Sequence, residues 1–282
     1  MAPPCYADLG KKALDLHTKD FHPGLVKFQA KTKSVDGLKF STGGQRDMES
    51  GKMLAGSEVT FNWPDYGLKY VEKWNTANDL VVDMSLEDKL LEGAKVSFVS
   101  SINPTTKKKK GTVKTSYKSE YFNGNVDVDL DYGGPVIKSS LVGGYNGWFA
   151  GYQMSLNASK KALTDNNFAL SYDGGDHILH AAAKNGVDFR GSYFHKYSPE
   201  IELGLAGEFS SATKRTQGGA ILKYIASEDT SMKVKVGIVG LLGLSVQQKL
   251  TQSTNLTLSA LIDAKNITAG GHRVGMSLEF EQ

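Results

Sequence analysis

Cysteine is almost absent. Cys5 is the only one in 282 residues, so no internal disulfide can form, which argues against the disulfide-built secreted class. Proline is scarce, at 7, so extended segments are seldom interrupted. Long hydrophobic runs are missing too. The longest apolar stretch, Val236 to Leu244, is broken by Gly237, Gly240 and Gly243 and falls well short of the roughly 20 residues a spanning helix needs. A membrane crossing by this chain would have to use strands. Net charge is only +3, too small to imply a nucleic-acid partner. The opening residues, MAPPCYADLGKKALDL, lack a basic start, an uncharged apolar core and a cleavage site, so they do not read as a secretory signal.

Catalytic and metal signatures are lacking as well. There is no GxSxG, no phosphate loop and no metal-spaced Cys/His set. Gly143-Gly144-Tyr145-Asn146-Gly147 is glycine-rich but has no Lys-Ser/Thr after it. His177 and His180 are three apart, which in a strand puts them on opposite faces. The sequons at Asn157, Asn255 and Asn266 mean little without secretion. The expectation is a protein that is not an enzyme and carries no cofactor and no metal.

What the chain does have is alternation. In the closing stretch, His272, Val274, Met276, Leu278 and Phe280 alternate with Arg273, Gly275, Ser277, Glu279 and Glu281. Successive strand side chains point to opposite faces, so this is one apolar and one polar face. The same pattern recurs through the chain. Val26, Phe28 and Ala30 oppose Lys27, Gln29 and Lys31. Val59, Phe61 and Trp63 oppose Glu58, Thr60 and Asn62. Trp148, Ala150, Tyr152, Met154 and Leu156 oppose Gly151, Gln153, Ser155 and Asn157. Met232, Val234 and Val236 oppose Lys233 and Lys235. Turn signals lie between them: Val35-Asp36-Gly37, Thr76-Ala77-Asn78, Gly133-Gly134-Pro135, Asp173-Gly174-Gly175 and Ala269-Gly270-Gly271. Two longer charged connections run from Glu87 to Glu92 and through Lys107 to Lys110.

One helix is expected, over residues 6–20. Tyr6, Leu9, Ala13 and Leu16 form its apolar face, and Phe21-His22-Pro23-Gly24 stops it. Its options are packing on a core, lying on a membrane surface, or sitting inside a pore. No composition shift marks a further boundary, so residues 1–23 read as helix and hinge and 24–282 as one β domain. About 13 residues per strand and turn give roughly nineteen strands. A large twisted antiparallel sheet closes to remove its edges, and a barrel this wide cannot fill its lumen with side chains. A polar face of Lys, Asp, Thr, Ser, Asn and Gln suits a water-filled interior. The apolar face then lies outside, where lipid accepts it. The fold class is therefore all-β, a transmembrane antiparallel β-barrel with an N-terminal amphipathic helix. Trp63, Tyr66, Trp74, Tyr145 and Trp148 suit interfacial girdles.

Several segments carry a resemblance. Pro3-Pro4-Cys5-Tyr6-Ala7-Asp8-Leu9-Gly10-Lys11 opens the chain. Asp65-Tyr66-Gly67-Leu68 precedes Glu72-Lys73-Trp74-Asn75-Thr76. Gly147-Trp148-Phe149-Ala150-Gly151-Tyr152-Gln153 lies mid-chain, and Leu256-Thr257-Leu258-Ser259-Ala260-Leu261 and Gly270-Gly271-His272 lie near the end. Together they resemble the voltage-dependent anion channel family, the porins of the mitochondrial outer membrane. The resemblance implies nineteen strands with the first and last parallel, the helix in the pore, and passage of ATP, ADP, phosphate and small metabolites under voltage control. It also implies hexokinase and Bcl-family proteins as partners, and homo-oligomers. Arg273 to Phe280 resembles the mitochondrial β-signal.

A pore needs width and a field rather than a catalytic group. Lys27, Lys31, Lys69, Lys73, Lys114, Lys118, Lys233, Lys235 and Arg273 fall on the polar register, as do Asp127, Asp129, Asp131, Glu202 and Glu208. A small cationic excess favours anions weakly. By resemblance, Lys11 and Lys19 are associated with ATP. Leu241, Leu242, Gly243, Ser259, Ala260, Leu261, Ile262 and Asp263 are associated with NAD, although nothing there is a dinucleotide fingerprint. Glu72 shares its parity with Leu68, Tyr70 and Trp74, which puts a carboxylate on the lipid side. The family associates such an acid with hexokinase docking. The hinge departs from the family's glycine-rich segment: Pro23 stiffens Asp20-Phe21-His22-Pro23-Gly24 and is expected to alter gating. Two rival readings are a related mitochondrial barrel that conducts polypeptides and a soluble β-rich binding module.

Overall fold

The computed structural model describes residues 2–32, 36–130, 134–268 and 270–282. The turn residues Val35, Gly133 and Ala269, and the lumen candidate Asp131, lie outside the described residues. The chain opens with a 3-10 turn, Tyr6–Asp8, and a helix α1, Lys11–Thr18. The strands follow: β1 Leu25–Lys31, β2 Leu38–Asp47, β3 Met53–Trp63, β4 Leu68–Asn75, β5 Leu80–Glu87 and β6 Ala94–Asn103. Next are β7 Lys108–Lys118, β8 Phe122–Leu130, β9 Val136–Tyr145, β10 Trp148–Asn157, β11 Ala162–Asp173, β12 His177–Lys184 and β13 Asp188–Lys196. The last are β14 Ile201–Ser210, β15 Arg215–Ser227, β16 Thr230–Gly237, β17 Leu241–Thr251, β18 Thr254–Asp263 and β19 Arg273–Glu281.

These 19 strands form one sheet, each antiparallel to the next, and β1 closes on β19 in parallel, with Val26 beside Met276 and Lys31 beside Glu281. An odd number of up-and-down strands leaves the first and last running the same way, so closure has to be parallel. Closure pairs both edges, which in lipid is the condition for a sheet to exist at all.

Register keeps the two faces separate from strand to strand. Outward, Leu258 sits between Val246 and Met276; inward, Ser259 sits between Ser245 and Gly275. The outer wall leaves large apolar side chains uncovered, among them Leu141, Phe168, Leu205 and Leu258, each about half exposed. Trp63, Tyr66, Trp74, Tyr145 and Trp148 are all exposed at strand ends or in turns. The ring of Trp148 lies 4.9 Å from that of Tyr172.

The continuous helix expected over 6–20 is interrupted. Gly10 adopts a left-handed conformation, φ 71°, between the 3-10 turn and α1. A side chain there would also strike the ring of His180, 2.5 Å away. The break lets two short segments follow the curved wall where a straight helix would bridge it.

Candidate functional site

The lumen is lined by the polar register. Lys27 lies 3.5 Å from Glu279, Lys73 2.8 Å from Glu58, Lys223 3.5 Å from Glu202 and Arg190 3.1 Å from Glu208. Asp129 receives Lys110 and Lys138 at 3.2 Å each, and the Thr112 hydroxyl at 2.7 Å. Lys31 stands beside Glu281, Lys69 beside Asn62 and Ser85, Lys114 beside Asp127, and Lys118 beside Asn123. Among the described residues, Lys69, Lys114 and Lys118 form no ion pair. Arg273 sits at one mouth, its guanidinium forked onto Glu49 at 2.7 and 3.0 Å. Much of the interior charge is therefore cancelled across strands.

The N-terminal segment lies inside and covers one side of the wall. Leu9 packs with Val142, Phe149 and Ala169, with Tyr6 and Ala182 against them. Ala13 and Leu16 pack with Ile178, Phe194 and Ile221. Those strand residues are lumen-facing and apolar, and the polar-lumen rule alone did not find them. One signal was available: Phe149 stands on the Gly151–Gln153–Ser155 side of β10, where a large aromatic is out of place unless something covers it. Glycines make room for the segment. A Cβ at Gly151 would meet Leu9 and Tyr6, and one at Gly204 would meet Leu16. A cavity of about 1100 Å³ remains between the segment and the wall, with Lys138, Arg190, Lys235, Gln153 and Asn167 among its lining.

The hinge is fastened to β16–β19. Lys233, only 5% exposed, donates to the carbonyl of Lys19 at 2.9 Å and to the Asp20 carboxylate at 3.1 Å. The Ser245 hydroxyl donates to the Asp20 carbonyl, and the His22 amide to the Ser259 hydroxyl at 3.1 Å. The Lys235 ammonium lies 5.5 Å from the Phe21 ring centroid. His17, another residue the sequence reading passed over, is buried, and its Nε2 has no partner among the described residues. Burial, and then the Lys235 charge, hold its imidazole below its ordinary value. A base with a depressed value contributes to docking while it is neutral, and that contribution is lost as pH falls below the free value near about 6.5. Acidification through that window is thus expected to release α1. A spin label or fluorophore on Cys5 should report this as increased mobility, and His17→Gln should weaken the pH response, the remainder coming from His22 in the hinge, whose imidazole burial also holds low. A response unchanged in His17→Gln would refute it.

The remaining site candidates fall as follows. Lys11 and Lys19 are exposed to the lumen, about 12 Å apart along the helix, and bonded locally to Asp8 at 2.7 Å and Asp15 at 2.8 Å. The segments 241–243 and 259–263 are brought side by side, Leu241 against Asp263 and Gly243 against Leu261. Leu242, Ala260 and Ile262 point out. The Phe21 ring sits where a Gly243 side chain would project, with Cζ 2.5 Å from that position. The chain's own hinge thus covers the inner face of that pair. Glu72 lies on the outer wall between Val59 and Val82, and accepts the Tyr70 hydroxyl at 2.9 Å. His180 faces the lumen under Gly10, while His177 is outside, its ring 5.7 Å from Tyr172.

Comparison with known proteins agrees with this architecture. The eukaryotic porin family profile matches residues 2–275. The non-selective voltage-gated ion channel VDAC2 of Xenopus laevis is 43% identical over 279 residues, covering 99% of both chains. The VDAC2 channel of Homo sapiens is 43% identical, covering 99% of this chain and 95% of its own. The VDAC1 channel of Rattus norvegicus is 42% identical, covering 99% of each.

Proposed function

This chain belongs to the eukaryotic porin family, and we propose that it serves in the mitochondrial outer membrane as a weakly anion-selective diffusion pore for ATP, ADP, phosphate and small metabolites. It is a β-barrel and a voltage-gated pore, its relatives being named voltage-gated ion channels. The observation that carries this is the closed barrel whose outer wall is uncovered apolar surface and whose lumen is charged and polar. A wall of that kind is costly in water, at roughly 25 cal/mol per Å² of apolar surface, and comfortable in lipid. It argues against the soluble binding module. The family is one of channels, not of enzymes. The full-length likeness to voltage-gated ion channels favours small permeants over a polypeptide-conducting barrel.

Selectivity follows from the interior charge. Cross-strand pairing cancels much of it; Lys31, Lys69, Lys114 and Lys118 remain, offset in part by Asp83 and by Asp127 beside Lys114, which leaves a modest anion bias for a wide pore. A planar-bilayer recording in a KCl gradient tests the reading. Large conductance, a reversal potential on the chloride side and partial closure at both polarities are expected. A chain that stays monodisperse without detergent and leaves liposomes sealed to chloride overturns it.

Nucleotide contact at Lys11 and Lys19, an NAD contact at 241–243 with 259–263, homo-oligomers, and hexokinase and Bcl-family partners belong to the same proposal. So does altered gating through the Pro23 hinge. For Glu72, the supporting observation is a carboxylate among Val59 and Val82 on the lipid side, tied to one tyrosine. Glu72→Gln is expected to leave conductance intact and to weaken hexokinase association with the reconstituted pore. Equal association in a co-flotation assay would rule this out.

A further inference from the structure

The strands alternate direction, so the turns that follow odd-numbered strands gather at one mouth and those that follow even-numbered strands at the other. The two sets differ in charge. The first carries Asp65 in the β3–β4 turn, Asp88 and Glu92 in β5–β6, Glu120 in β7–β8, Asp176 in β11–β12 and Glu200 in β13–β14, and all six are exposed. Glu228 and Asp229 continue the series in β15–β16. Among the described turn residues of this mouth, Lys89 is the only cation, and its ammonium rests on the Asp65 carbonyl at 2.7 Å. The second mouth carries Lys52 in β2–β3, Lys107 in β6–β7, Lys160 and Lys161 in β10–β11, Lys214 in β14–β15 and Lys265 in β18–β19, again all exposed. Its described turn acids are Glu49 and Asp79. Glu49 is held by the Arg273 fork, and Asp79 accepts Asn103 at 2.6 Å and Asn75 at 3.3 Å. Lys33 and Asp131 lie outside the described residues; each would offset one charge of its turn set.

We propose that this charge difference makes the pore bipolar, with a cation-gathering acidic mouth and an anion-gathering basic mouth, so that it rectifies ion flow. The inference rests on the pore reading above and adds a direction to it. Interior charges are largely paired across strands, and the strand-end lysines Lys31, Lys69, Lys118 and Lys196 offset part of the acidic mouth without reversing it, so the field along the axis comes mainly from the turns. When the acidic side is positive, cations enter past the carboxylates and anions enter past the lysines. Both then accumulate, because each meets a like-charged rim on the way out. With the polarity reversed both are drawn out and the lumen is depleted. The effect requires a screening length comparable with the pore. That length is about 30 Å at 0.01 M salt and about 3 Å at 1 M.

The test is single-channel current at low voltage, below closure, from the full chain in planar bilayers. In dilute KCl, near 0.02 M, the ratio of currents at opposite polarities is expected to be about two, and it should approach one at 1 M. Changing Lys52, Lys107, Lys160, Lys161, Lys214 and Lys265 together to Gln should lower the dilute-salt ratio clearly, since the acidic rim alone then carries the asymmetry. Amidating the six acids named first should do the same from the other mouth. Conducting pores with linear current in dilute KCl, or rectification left unchanged by both sets of changes or by 1 M salt, overturn the inference. A chain that opens no pore overturns the function it rests on.

Discussion

Phe98→Lys is expected to prevent stable insertion of the barrel, while Val99→Lys, one residue further along β6, is expected to insert normally and make the pore more anion-selective. Phe98 points outward at mid-strand between Met84 and Val113, in the hydrocarbon. A lysine at the bilayer midplane of a barrel costs about 2–4 kcal/mol, a large part of the stability of a typical folded domain. Val99 points into the lumen between Asp83 and Thr112, and Asp83 Oδ1 has no partner among the described residues. A lysine there meets a carboxylate and water. Folding into detergent micelles, followed on gels by the shift between heated and unheated samples, separates the two variants. The KCl reversal potential then reads the selectivity of Val99→Lys. Equal folding of both would show that the faces of β6 are misassigned.

Lys233→Met should free the N-terminal segment. The side chain is buried and holds the carbonyl of Lys19, just past the helix, together with the Asp20 carboxylate. Its loss leaves both acceptors without their donor, at about 1–3 kcal/mol; Asp20 is 36% exposed, so water moderates the penalty on its side. A shift of that size changes the docking equilibrium by about 5–150-fold. Trypsin should then cleave after Lys19 faster by a similar factor, and the voltage dependence of closure should change with it. Asp20→Asn keeps an acceptor and should have a smaller effect. Cleavage and gating indistinguishable from the parent in Lys233→Met would show that the hinge is held by its other contacts alone.

The barrel was readable from the chain because alternation is a local property. Each strand declares its two faces within a few residues, as Val126, Val128 and Leu130 do against Asp127 and Asp129, and lipid and water then decide which face goes where. The place of Glu72 was legible for the same reason: parity alone puts it with Leu68 and Trp74. The helix was legible as an amphipathic segment but not as an interrupted one. Its break depends on Gly10 meeting His180, a residue 170 positions away.

The sequence alone thus determined the strands, their number to within one or two, their two faces and the lipid side of the wall, since periodicity and turn chemistry act at short range. Only the tertiary structure decided where the inner segment rests, which apolar lumen residues it covers, that Lys233 fastens the hinge, and that Phe21 occupies the space over Gly243. Those outcomes depend on which distant strands closure brings together around the segment, and no spacing within a single strand encodes that.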